Sequence, residues 1–348
     1  MSFNKKTYYE ENGMKFEGEI PVSTHFVSTP VFFFVYNVEN YYHFIYDTLP
    51  YLWWYFELKK VIPELTLLTQ YPSAQHAKMY PFVEQTLQLL GISEYLVLNP
   101  TACYEHLYIS SSLTHEDQSN EPPNKQAFEV WNKLIHNALQ VQPTINPGKK
   151  LYISRRTHLN SDNSNIGTNY TQRRKMINED ELVQLLATNY NYTEVFPEQW
   201  DMATKVHAFY NATHIVGAIG GGMCNLLFSP PSTKSVVIVS PDFMNINNRF
   251  KYSMDHTDIK YYFNTELASS KYIRVKVLTG EHKGKYGEIQ SETCEEVEIA
   301  LGDETSVSIQ SEIGITITLP LSHVEKLDKG LNSPFMIHSL KDLVNDSK

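Results

Sequence analysis

The chain has 348 residues, 42% of them hydrophobic and 13% aromatic, which suffices for packed cores and excludes wholesale disorder. Its length suits two domains, or two with a small module. A formal net charge of −10 argues against a nucleic-acid or anionic-membrane partner held by electrostatics.

Three scattered cysteines, Cys103, Cys224 and Cys294, lack C-x-x-C spacing and read as reduced thiols. The opening stretch MSFNKKTYYEENGMKF has no apolar core of signal-peptide length. The most apolar run, Val31–Tyr36, is too short to span a bilayer. These features predict a cytoplasmic protein with no transmembrane segment.

In chain order, Val31–Tyr36 reads as a strand buried on both faces of a parallel sheet. Tyr41–Leu49 reads as a helix, and Pro50 permits a fresh helical start. Leu65–Thr69 follows as a strand and Ser73–Leu90 as a helix ending at Gly91. Tyr95–Leu98 and Leu107–Ser110 look like strands, and Lys125–Leu139 carries apolar residues at helical spacing. The alternation of strand and helix implies a parallel sheet.

Gln142–Lys149 is rich in proline and glycine and reads as a linker. A second α/β series starts at Leu151–Ser154, passes a polar loop over 157–175, and resumes with a helix after Asn178. Asn178 and Glu181 have capping-box spacing. Glu194–Phe196 reads as a strand, Met202–Tyr210 as a helix, Ile215–Val216 and Val236–Val239 as strands, and Ile259–Phe263 as an edge strand. From Lys271 onward, alternating segments punctuated by glycine suggest a small all-β barrel, and residues 331–348 a mobile tail.

Three sets of residues have chemistry to offer. His43 and Asp47, at i, i+4 just after a buried strand, share a helix face, where a carboxylate beside an imidazole suits a general base acting on a hydroxyl. The same spacing also serves a structural pair. Arg155 and Arg156 end a strand, with Arg173 and Arg174 in the loop beyond; guanidiniums there suit diphosphate oxygens, or surface ion pairs. Gly220, Gly221 and Gly222 join a strand to an apolar segment that can be helical. Such a turn either exposes backbone amides to a phosphate or is simply tight. No D-x-D, H-x-H or H-E-x-x-H metal motif occurs, so no metal site is expected.

Taken together, NYYHFIYDTLP (Asn40–Pro50), LYISRR (Leu151–Arg156) continuing to RRKMINEDEL, and VGAIGGGMCNLLF (Val216–Phe228) resemble, in that order, the pattern of glycosyltransferase family 61. The resemblance covers about residues 31–240. It implies a GT-B fold of two Rossmann-like α/β domains, with a nucleotide-sugar in the cleft and inverting, metal-independent transfer without a cofactor. His43 and Asp47 fall on the family's His and Asp on the acceptor side, Arg155 on its strand–Arg motif, and Gly220, Gly222 and Asn225 on its glycine-rich turn. Two positions depart from the family: Ile219 stands where His is usual, and Ile238 where Glu is usual, ahead of Pro241.

The segment VKVLTGEHKGKYGEI (Val275–Ile289) resembles the KOW motif of SH3-like barrels. Residues 271–328 carry six Lys/Arg against eleven Asp/Glu. That balance favours a protein-docking or structural role over nucleic acid.

The expected organisation is an acceptor domain over 1–145, a nucleotide-sugar domain over 146–268, a barrel over 269–330 and a tail over 331–348. The expected activity is transfer of xylose or N-acetylglucosamine from a UDP-sugar to a hydroxyl of a glycan or glycoprotein. Arg155, Arg156, Arg173, Gly220–Gly222 and Asn225 would hold the donor. The other reading is a catalytically degenerate relative that binds glycans or proteins. Since the family works in the secretory lumen of plants and animals, the missing signal points to a bacterial or virus-encoded enzyme.

Overall fold

The computed structural model describes residues 9–11, 14–16, 25–72, 78–114, 122–155, 176–243, 246–263 and 265–267. Beyond these it describes 274–277, 286–292, 296–302, 316–320, 324–326, 335–337 and 343. The fold is mixed α/β, built on two parallel sheets. The first orders its strands Tyr95–Val97, Thr66–Thr69, Val31–Phe33, Leu107–Tyr108. The second orders them Thr193–Val195, Lys150–Ile153, His214–Ala218, Lys234–Ile238, Asp258–Tyr262.

The central strands, such as Thr66–Thr69, His214–Ala218 and Lys234–Ile238, are apolar runs buried on both faces, whereas the edge strand Asp258–Tyr262 alternates in exposure. In the second sheet the two faces serve different cores. Leu151, Ile153, Ile215, Ile219 and Val237 point toward the first sheet and join its core. Tyr152, Val216, Ala218, Val236 and Ile238 point away, against Leu182 and Leu186 of the helix Glu179–Tyr190. This is the period-2 alternation of a pleated strand. The first core is therefore continuous from Phe32 through Trp131 and Phe209 to Val237.

Several elements differ from expectation. The helix expected over Ser73–Leu90 runs from Pro81 to Leu89; residues 73–77 lie outside the described residues. Tyr80 takes an extended ψ of 142°, as the residue before a proline prefers, so the helix starts only at Pro81. The helix expected over Tyr41–Leu49 contains a π-helix, His43–Thr48, followed by a 3₁₀ turn at Leu49–Tyr51 and an α-helix over Leu52–Lys59.

The Asn178 capping box does not form. Both ends of the Asn178 amide bond the backbone of Ile337, its Nδ2 donating at 3.0 Å and its Oδ1 accepting at 3.1 Å. Within the segment read as a tail, Phe335–Ile337 pairs antiparallel with Thr265–Leu267, and Ile337 and Leu343 are buried in the second core.

The region expected to form a barrel contains a five-stranded antiparallel sheet, ordered Thr316–Pro320, Glu296–Gly302, Tyr286–Glu292, Arg274–Val277, Val324–Lys326. Barrel closure is not among the described pairings, and Thr305–Gln310 lies outside the described residues. Among the described residues no helix is long and apolar enough to cross a membrane.

Candidate active site

The first candidate residues lie at the carboxyl end of the buried strand Val31–Phe33. Asn37 and Asn40 shape the exit. Asn40 Oδ1 accepts from the Tyr42 amide at 3.0 Å, its carbonyl accepts from the Phe44 amide at 2.8 Å, and Thr48 Oγ1 donates to the Asn37 carbonyl at 3.0 Å. These bonds seat the π-helix, a form that recurs at functional sites. Trp131, from the helix Lys125–Ala138, donates its indole N–H to the Ile45 carbonyl at 2.9 Å and braces it from below.

On this turn His43 Nδ1 lies 2.6 Å from Asp47 Oδ2. A carboxylate oxygen accepts, so Nδ1 is the donor of this contact, and in a neutral ring with that tautomer Nε2 has the lone pair. The His43 side chain is 39% exposed and that of Asp47 only 10%. An imidazole in this state can take a proton at Nε2. Arg249, on the helix Asn248–Tyr252 between the strands Lys234–Ile238 and Asp258–Tyr262 of the second sheet, donates from Nη2 to the same Oδ2. Phe250 stacks face to face on Tyr42, 4.1 Å between centroids and 6° between planes, so this helix is seated against the π-helix. Burial first, and the Asp47 charge second, hold the Tyr42 and Tyr46 hydroxyls neutral by raising their pKa values.

The glycine-rich turn faces this region from the second sheet. The Ile219 amide donates to the Ile238 carbonyl at 2.8 Å, and Met223 N closes the turn onto the Gly220 carbonyl at 2.9 Å. No hydrogen bond inside the protein uses the amides of Gly220, Gly221 and Gly222 among the described residues. Sterics explain two glycines. A Cβ at Gly217 would sit 2.6 Å from Met223 Sδ and 2.9 Å from Ile153 Cβ, and one at Gly222 would sit 3.0 Å from Ile153 Cγ2. A Cβ at Gly221 would meet nothing within 4 Å, so this residue faces open space.

Asn225 is buried and braces the turn. Its Nδ2 donates to the Gly222 carbonyl at 2.9 Å, and its Oδ1 accepts the Tyr41 hydroxyl. This last bond ties the glycine turn to the residue two before His43.

Arg155 follows the strand Lys150–Ile153, whose end is held by a buried carboxylate. Glu179 Oε1 accepts from the Tyr152 hydroxyl at 2.9 Å, Ser154 Oγ at 3.1 Å and the Arg155 amide at 3.0 Å. Burial lowers the Arg155 pKa, opposed by the nearby charges of Glu179 and Glu198. Its Nε has no partner among the described residues. Arg156 and Arg173 lie outside the described residues.

Ile219 and Ile238, the two departures from the family pattern, are 1% and 0% exposed and belong to opposite faces of the sheet. Neither offers a polar group to a ligand. Among the described residues no group of three or more His, Cys, Asp or Glu side chains is placed to hold a metal ion.

Four residues of this region were not singled out by sequence reasoning: Tyr41, Glu179, Lys205 and Arg249. Lys205 had a signal. It sits with Met202, Val206 and Phe209 at i, i+3, i+4, i+7, on the apolar stripe of its helix, where a lysine is out of place. Arg249 had none, because its partner is 202 positions away.

A mixed α/β fold on parallel sheets fits a Rossmann-like glycosyltransferase. The family model for glycosyltransferase 61 matches residues 41–237, more than half of the chain, and the protein belongs to this family. It is thus a glycosyltransferase, with a donor and an acceptor as substrates. Comparison with curated proteins finds no match. The family match contains His43, Asp47, Arg155 and the glycine turn, and ends before Arg249.

Proposed function

We propose that the protein transfers a sugar from a UDP-sugar to a hydroxyl of a glycan or glycoprotein, with inversion and without a metal, in the cleft of a GT-B fold. The observation that carries this reading is the His43–Asp47 contact at 2.6 Å, which leaves Nε2 on a side chain 39% exposed. His43 takes the proton of the acceptor hydroxyl as that oxygen attacks the anomeric carbon and the bond to the UDP oxygen breaks. Asp47 fixes the tautomer and balances the charge that develops on the ring. Asp47 as the direct base fits less well, since its Oδ2 is engaged by both His43 and Arg249.

The diphosphate that leaves carries the developing negative charge. Arg155 and the uncommitted amides of Gly221 and Gly222 are the groups suited to receive it. Nothing in this scheme needs a protein-bound metal. Xylose and N-acetylglucosamine are the sugars of choice, from the family resemblance.

The test is turnover of UDP-xylose and UDP-N-acetylglucosamine by the wild type, His43→Ala and Asp47→Ala. The expected loss is about a hundredfold or more for His43→Ala, the scale of a removed general base. Equal rates in all three proteins would end the base assignment.

A further inference from the structure

Lys205 is 6% exposed, on the first turn of the helix Met202–Asn211. It has no carboxylate within ion-pair distance among the described residues. Its nearest acid in sequence, Asp201, is committed to capping the helix, accepting from Thr204 N at 2.7 Å, Thr204 Oγ1 at 3.0 Å and Thr144 Oγ1 at 3.2 Å. What the ammonium has instead is the face of Tyr41, with Nζ 4.8 Å from the ring centroid. A buried cation with only an aromatic face is under-compensated, since cation–π attraction recovers a fraction of the desolvation cost.

Its position gives this charge a purpose. The Tyr41 ring under Lys205 donates its hydroxyl to Asn225, which bonds the Gly222 carbonyl. The thiol of Cys224, between them in sequence, is the other near neighbour of the ammonium. The charge of Glu198 reaches both Lys205 and Arg155. A part-buried cation, Arg155, follows by two residues the Ile153 side chain that packs against Gly217 and Gly222, and a buried one, Lys205, starts the helix Met202–Asn211. The amides of Gly221 and Gly222 stand uncommitted there.

Building on the UDP-sugar reading, we propose that Lys205 is a donor-binding residue, its ammonium contacting the diphosphate as a second cation beside Arg155. The diphosphate supplies an anion at contact distance, which Lys205 lacks among the described residues. The groups facing Lys205 that titrate or carry charge are Tyr41, Cys224, Glu198 and Asp201. Burial pushes the lysine pKa down to about 8, so the free site is still largely protonated at neutral pH.

The experiment is calorimetric titration of the full chain with UDP and with uridine, for the wild type, Lys205→Met and Lys205→Arg, beside thermal melts of each. Lys205→Met is expected to weaken UDP binding by about tenfold to a hundredfold, the range for a charge-assisted contact. Uridine binding should be unchanged, the melting temperature should not fall, and Lys205→Arg should recover part of the UDP affinity. Wild-type affinity for UDP in a folded Lys205→Met protein overturns the proposal and leaves the UDP-sugar reading standing. Equal losses for UDP and uridine also overturn it, by making Lys205 structural. A wild type that binds neither UDP nor uridine overturns the donor reading and the proposal together.

Discussion

Asp47 Oδ2 accepts from His43 Nδ1 at 2.6 Å and also from Arg249 Nη2, so one carboxylate oxygen is shared by an imidazole and a guanidinium. The three side chains come from the two α/β halves of the chain. The dyad that the chain presents after its first buried strand is therefore completed by a residue from the connection between the last two strands of the second sheet.

Arg249→Met should be costly. With Asp47 10% exposed, removing its cation leaves a poorly solvated carboxylate, and the loss should be about 3 kcal/mol. Urea unfolding measures it. Transfer activity should fall further than stability explains, because the Asp47 oxygen that orients His43 is no longer held from the other side. Lys at this position should recover part of the stability, but less of the activity, as it lacks the planar fork.

The glycines of the turn should separate by mechanism. Gly217→Ala meets Met223 and Ile153 below 3.0 Å, so it should destabilise by roughly 1–3 kcal/mol. Gly221→Ala meets nothing and should melt like the wild type. If the donor passes over this turn, Gly221→Ala should still weaken UDP binding, read by calorimetry against its unchanged melting temperature.

Glu179→Ala should loosen the end of the strand before Arg155. The carboxylate accepts three donors, from Tyr152, Ser154 and Arg155, the first two on buried residues. Leaving them unsatisfied should cost roughly 3 kcal/mol. Glu179→Gln keeps a carbonyl oxygen as acceptor and should cost less, by the same denaturant measurement.

The pH dependence of stability should carry the mark of Lys205. Its pKa is lowered from 10.5 in the unfolded chain to about 8 in the fold by burial. Between those values the unfolded state binds more protons, so this residue makes stability rise with pH. Below about pH 8 the fold carries the full penalty, of the order of 3 kcal/mol, and above 10.5 none. Lys205→Met should therefore be more stable than the wild type at pH 7, with the gap closing by pH 10.5. A saturating anion at the site should narrow the gap at pH 7.

Much of this was legible in the residues themselves. The runs Val31–Tyr36, Leu151–Ser154 and Ile215–Val216 read as strands, where the structure has parallel strands at Val31–Phe33, Lys150–Ile153 and His214–Ala218, and the i, i+4 spacing of His43 and Asp47 brings them into contact on a π-helix as it would on an α-helix. Gly217 suits a place where a Cβ would clash with Met223 and with Ile153 on the neighbouring strand, and Gly222 one where a Cβ would be crowded by Ile153. Such features are local, or follow from the alternation of a strand, so short spacings suffice to find them.

The partners of these groups were not legible. Asn178 has the spacing of a helix cap, yet tertiary packing brings Ile337 to it, and two backbone bonds outcompete the cap. Lys205 shows in the sequence only as a charge on an apolar stripe; which ring it lies over depends on how the helix Met202–Asn211 packs against Tyr41. Arg249 carries no motif at all. Its meeting with Asp47 depends on seating the helix Asn248–Tyr252 against the π-helix, through Phe250 on Tyr42. Local chemistry and periodicity determine which groups the chain offers. Which charge faces which, across some two hundred residues, is decided only by burial of the shared core.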